Sequence, residues 1–107
     1  MTVPRINNDE MREYVMSRRE FYGSNTRGQY ICDLYVVHSY GEHFPMYIYD
    51  TRFDKWYGNG GKYSRTTSKH QSQARPVGVD IQWLSRSDMQ SVVTHNGIAG
   101  LVARRMS

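Results

Sequence analysis

One cysteine in 107 residues excludes an intrachain disulfide framework. No apolar run approaches the roughly 18–20 residues that a membrane-spanning helix needs, and the opening Met1-Thr2-Val3-Pro4-Arg5 lacks the apolar stretch of a signal peptide. These absences lead us to expect a cytoplasmic chain with no membrane contact. Cys32 lies inside an apolar run and reads as a buried structural thiol. The histidines at 38, 43, 70 and 95 have no cysteine or carboxylate at metal-ligand spacing, so neither zinc nor any other cofactor is expected. Acid is also missing over a long stretch. From Lys55 to Val79 there is no Asp or Glu, while Lys55, Lys62, Arg65, Lys69 and Arg75 all fall there.

The length suits a single domain, 1–107, with one modest core. Mean hydropathy is −0.74, polar for a globular chain. Aromatics nonetheless reach 13%, mostly as nine tyrosines, so large rings are expected to stand in for aliphatics in the core. The net charge of +4 conceals an imbalance: residues 1–54 carry six Lys/Arg against eight Asp/Glu, and residues 55–107 carry eight against two. An anionic partner should meet the second half.

Asn7 as N-cap, Glu10 three residues on, and Ile6 and Met11 at staple spacing predict a helix over about 8–20. Its apolar stripe would run through Met11, Tyr14, Val15, Arg18 and Tyr22. A loop follows at 23–28. The β-branched and aromatic run 30–37 predicts one strand, Met46–Tyr49 a second, and Lys55–Tyr57 a third; Asn59-Gly60 signals a tight hairpin reversal flanked by Tyr57 and Lys62-Tyr63. Residues 64–76 show no hydrophobic period. Ser85 with Asp88 at N3 starts a C-terminal helix through Met89, Val92 and Val93, which stops at Asn96-Gly97; Ile98, Leu101 and Val102 repeat the spacing before Arg104 and Arg105.

The connections 37–46 and 49–55 are too short for crossover helices. The fold expected is therefore α+β: a small antiparallel sheet of three to four strands within roughly 29–64, flanked by an N-terminal helix and C-terminal helices. Tyr14, Val15, Leu34, Val36, Ile48, Trp83, Val92 and Leu101 should be buried.

The segment 62–76 carries the most chemistry. Lys55, Lys62, Arg65, Lys69, His70 and Arg75 can neutralise phosphates, its hydroxyls and amides can donate to phosphate oxygens, and Tyr57 and Tyr63 can stack on bases. The competing reading is a solvated loop whose Ser and Thr side chains bond their own backbone. Gly58-Asn59-Gly60-Gly61-Lys62 lacks the spacing of a nucleotide-binding phosphate loop, and no helix start is evident after it. His38, His43, His70 and Lys69 are the residues a histidine-based nuclease would use, but nothing in the sequence gathers them, and a non-enzymatic role is expected.

The run Tyr35-Val36-Val37-His38-Ser39-Tyr40-Gly41-Glu42-His43-Phe44-Pro45-Met46-Tyr47-Ile48-Tyr49-Asp50, followed by Trp56-Tyr57 and by residues 62–76, resembles a family of short proteins encoded by bacteriophages and mobile elements, a family with no assigned function. The resemblance implies an accessory protein of the host bacterial cytoplasm. Its expected partner is nucleic acid or a nucleic-acid-containing complex. The alternative is a host ribonucleoprotein or defence protein, such as a CRISPR complex, disabled by direct binding. Nothing in the sequence argues for or against a homodimer.

Overall fold

In the computed structural model, which describes residues 3–40, 44–62 and 64–94, the first helical segment opens as its capping pattern dictates. The Asn7 N–H donates to Glu10 Oε1 at 3.1 Å, and Ile6 and Met11 enter one core cluster. A 3-10 turn over Asn8–Glu10 leads into α1, Met11–Met16. The helix is shorter than the expected 8–20 because Arg18 takes a left-handed φ of 53°, which ends it. Tyr22, expected in the helical stripe, belongs instead to a strand.

Six strands form one sheet in the order β1-β2-β3-β4-β5-β6. They are β1 (Phe21–Gly23), β2 (Thr26–Ile31), β3 (Leu34–Ser39), β4 (Phe44–Asp50), β5 (Lys55–Asn59) and β6 (Ile81–Leu84). The first five make an antiparallel meander, whereas β5 and β6 are parallel. The α+β class stands, but the small antiparallel sheet of three to four strands is corrected to six strands of mixed direction.

Two physical causes account for the difference. The run 30–37 is not one strand, since Cys32 adopts φ 55° and the chain reverses at Cys32-Asp33, pairing Ile31 with Leu34. β-prone residues on both sides hide that turn from a composition reading. Cys32 is accordingly half-buried at a hairpin tip and not in the core. Secondly, the aperiodic segment contains a helix, α2 (Arg65–Ala74), which carries the chain from β5 to its parallel neighbour β6. The connection from Asn59 to Ile81 exceeds the dozen or so residues that such a crossover requires.

The sheet is covered on both faces. Tyr35, Val37, Tyr47, Tyr49 and Trp56 pack with Met11 and Val15 of α1 and Ala74 of α2. Leu34, Val36 and Ile48 pack with Met89 of a further helix, α3, formed by residues 86–94. Every residue of β3 and β4 is buried, the polar His38, Ser39 and Asp50 at their ends included, so neither strand shows a buried–exposed alternation. Ser85 caps α3 as expected, accepting the Asp88 N–H at 3.2 Å. The elements expected after Thr94 lie outside the described residues, as does Leu101. Val15, Leu34, Val36 and Ile48 are fully buried, Tyr14 and Val92 are half-buried, and Trp83, expected in the core, is 46% exposed.

Buried tyrosines fasten the segment after α1, and α2 itself, to the sheet. Tyr35 Oη donates to Arg19 O at 2.7 Å and Tyr47 Oη to Gln71 O at 2.8 Å. Burial pushes the Tyr47 phenol up to about 12, so it stays a donor across the physiological range. Tyr47→Phe is expected to lower stability by about 1 kcal/mol, the net worth of one hydrogen bond, measured as a shift in the urea midpoint at unchanged slope.

Candidate functional site

The path from β5 into α2 is held by one side chain. Asn59 is 2% exposed; its Nδ2 donates to Pro45 O at 2.9 Å and its Oδ1 accepts the Gly61 N–H at 2.9 Å. The Asn59 carbonyl accepts Gln71 Nε2 at 2.7 Å, and the Gly60 N–H donates to Leu84 O at 2.7 Å. Asn59-Gly60 is therefore no hairpin turn: β5 continues beside β6 and then departs. A helix start does follow the glycines, contrary to expectation. The loop is still not a phosphate cradle, because the Gly60 and Gly61 N–H groups are already bonded. Gly61 is small for packing, since a Cβ there would lie 2.8 Å from Arg86 Cβ.

Ser64 caps α2 by accepting the Thr67 N–H at 3.0 Å. The helix buries Thr67, His70 and Ala74, a stripe at helical spacing built from polar or small residues, which is why hydropathy gives no period. Ser39 Oγ, fully buried, meets Thr67 Oγ1 at 3.2 Å and His70 Nδ1 at 2.9 Å. At the other end, Arg12 donates to the carbonyls of Ser72 (2.8 Å) and Arg75 (2.9 Å), placing a cation at the negative pole of the helix.

Burial lowers the His70 pKa below its ordinary 6.5, and the nearby Lys69 charge adds to this. Because the folded value lies below the unfolded one, the neutral ring stabilises the fold above about pH 6.5, and that stability is lost as pH falls through the folded value. Urea midpoints of the wild type should therefore drop between about pH 7.5 and pH 5.5, with a smaller drop in His70→Gln. Equal drops would place the titrating group elsewhere.

A cleft of about 320 Å³ opens between α2 and β6, lined by Lys62, Ser68, Gln71, Ser72, Arg75 and Trp83 and floored by Tyr47 and the Asn59–Gly61 backbone. The Arg75 guanidinium lies over the Trp83 ring, 5.3 Å from its centroid. Trp83 also meets Tyr47 edge-on at 6.2 Å. No carboxylate lines this cleft. Of two other surface clefts, one contains Asp54 and Asp80 and the other Glu20.

The sequence-derived candidates divide. Lys62 and Arg75 line the cleft. Arg65 and Lys69 are exposed on the adjoining helix face, each three residues before a cleft serine, Ser68 and Ser72. His70 points inward to Ser39 and does not join them. Lys55 sits at the far end of β5 in the cleft that holds Asp54 and Asp80. Its Nζ lies 5.4 Å from the Tyr57 ring, which is half-buried against the Leu34–Ile48 cluster under α3. Tyr63 lies outside the described residues, as does His43, while His38 is buried.

Trp83 is a site residue that sequence reasoning places in the core, because it assigns no strand between the segment 64–76 and the Ser85 cap. The alternation of Ile81 and Trp83 is the signal for β6 that was available. Among the described residues no three His, Cys, Asp or Glu side chains gather as metal ligands, and no helix is long and apolar enough to cross a membrane. Comparison with protein-family models, curated proteins and solved structures finds no match to this chain.

Proposed function

We propose that this domain binds nucleic acid through the cationic face of α2 and the cleft beside it. The observation that carries the reading is the placing of Lys62, Arg65 and Lys69 around the N-terminal half of α2, with no acid in its first turn. A helix N-terminus is already positive, so each cation there opposes the helix dipole by about 0.3–1 kcal/mol. Stability does not explain that choice, and a bound anion relieves it. The ten residues of α2, Arg65–Ala74, span about 15 Å. That is longer than one phosphate and suits a phosphate polymer. The resemblance to short phage and mobile-element proteins supports an accessory role for such binding.

The test is a titration of labelled oligonucleotide between about 50 and 200 mM salt, followed by anisotropy. Neutralising four phosphates gives a log–log slope of about −3 to −4. The Lys62→Ala, Arg65→Ala, Lys69→Ala triple variant should bind at least roughly tenfold more weakly at low salt, with a slope about 2 to 3 smaller in magnitude. Absence of binding by the folded wild type at low salt, or equal binding by the triple variant, removes this reading. Capture of a host protein would then lead, and a specific feature favours it as the second reading: Tyr22 and Phe53 are exposed beside Arg5 and Arg52, and aromatic and Arg side chains are the usual interface anchors.

A further inference from the structure

Trp83 presents a large ring to solvent where a nearby core offered cover, and three features hold it there. Gly58 of the neighbouring strand lies beneath it: a Cβ at Gly58 would come within 2.7 Å of indole Cε3 and Cζ3. Tyr47 abuts it edge-on, and Ile81 precedes it on the same side of β6, within the core cluster. The ring is thus fixed in position yet 46% exposed.

Its surroundings differ from those of Tyr30 and Phe53, two of the other exposed aromatics. Tyr30 shares its cleft with Glu20, and Phe53 lies between Asp50 and Asp54 in the chain. Trp83 shares an acid-free cleft with Lys62 and Arg75. A fixed, exposed indole in a cleft that also holds two cations matches the chemistry of a nucleotide in a strand, a flat base flanked by phosphates.

We propose that the ligand is a single strand and that one of its bases stacks on Trp83 at the mouth of the cleft, with Lys62 and Arg75 on the flanking phosphates. This rests on the phosphate-binding reading above and narrows it. Arg75 lies over the ring in the free protein, and an exposed cation–π contact is weaker than stacking of a base on an aromatic side chain. The base displaces the guanidinium, which then reaches a phosphate. Bases in a duplex have their faces covered by their neighbours, so a duplex satisfies the cations but not the indole. Stacking uses the face that every base has, so the site tolerates any sequence.

The two tryptophans make the test direct, since Trp56 is 4% exposed and Trp83 is the solvent-facing one. Three probes are titrated against intrinsic fluorescence and by competition: oligothymidylate, a DNA duplex of equal length, and inorganic polyphosphate, which has charge but no base. Oligothymidylate should quench the emission and bind roughly tenfold or more tighter than the duplex, while polyphosphate binds without comparable quenching. Trp83→Leu should lose that preference with its salt slope and polyphosphate affinity unchanged, and Trp83→Phe should keep part of it.

Equal affinity for single strand and duplex, or undiminished single-strand binding by folded Trp83→Leu, overturns the stacking site and leaves phosphate binding in place. If none of the three probes binds at low salt, both readings fall.

Discussion

Asn59→Ala is expected to lower stability by about 2–4 kcal/mol, since it leaves one buried and one part-buried backbone partner unpaired, and a buried one costs about 1–3 kcal/mol. The Pro45 carbonyl loses its donor and the Gly61 N–H its acceptor, both at 2.9 Å in the intact protein. The Pro45 carbonyl is buried and is the costlier loss, whereas the Gly61 N–H is part-buried at the floor of the cleft. Asn59→Asp separates the two contacts. It keeps an acceptor for Gly61 but aims a carboxylate at the Pro45 carbonyl, so it should be no more stable than the alanine variant. Urea denaturation at neutral pH reads both. A loss under about 0.5 kcal/mol, the range of ordinary surface substitutions, would show that Asn59 does not clamp the loop. Because the same loop positions Lys62, both variants should also weaken oligonucleotide binding under conditions where they remain folded.

The sequence made the position of Asn59 conspicuous but not its role. Asn-Gly is a strong signal for a two-residue hairpin, and that signal describes local backbone preference alone. Here the burial of β5 between β4 and β6 overrides it, and the asparagine side chain serves as a bridge between strands. The helix α2 was hidden for a related reason. Hydropathy finds a helix when its inward face is apolar, whereas this one turns Thr67 and His70 to Ser39. A search for hydroxyl and imidazole at i, i+3 spacing behind a Ser64 cap was the available clue.

What was legible were the features written in local chemistry: the capping pattern at Asn7 and Glu10, the Ser85 cap of α3, and the acid-free stretch. The strand pairing between β5 and β6 depends on residues more than twenty positions apart, and no local pattern encodes it. The exposure of Trp83 follows from the same pairing, because alternation at Ile81 and Trp83 can signal a strand but not that β6 lies at the edge of the sheet.

Met89→Ala should cost about 2–5 kcal/mol, the range for truncating a fully buried methionine. Met89 is the buried residue through which α3 meets Leu34, Val36 and Ile48, so the substitution opens a cavity on the face of the sheet opposite α1 and α2. Ile48→Ala removes the other side of the same contact. The double variant should therefore lose less than the sum of the two single losses, with a coupling of about 0.5 kcal/mol or more, as neighbouring core residues show. Strict additivity, or a loss under about 0.5 kcal/mol for Met89→Ala alone, would mean that α3 does not cover this face. The consequence reaches the cleft. Arg86 at the start of α3 packs so closely on Gly61 that a Cβ there would stand 2.8 Å from its own Cβ. Loosening α3 frees the Gly60–Lys62 loop from one side, and with it the backbone that sets Lys62 at the cleft of Trp83 and Arg75. Met89→Ala should accordingly weaken oligonucleotide binding less than the triple Lys62, Arg65, Lys69 variant and leave its salt slope intact, because every cation is still present and only its positioning has been relaxed.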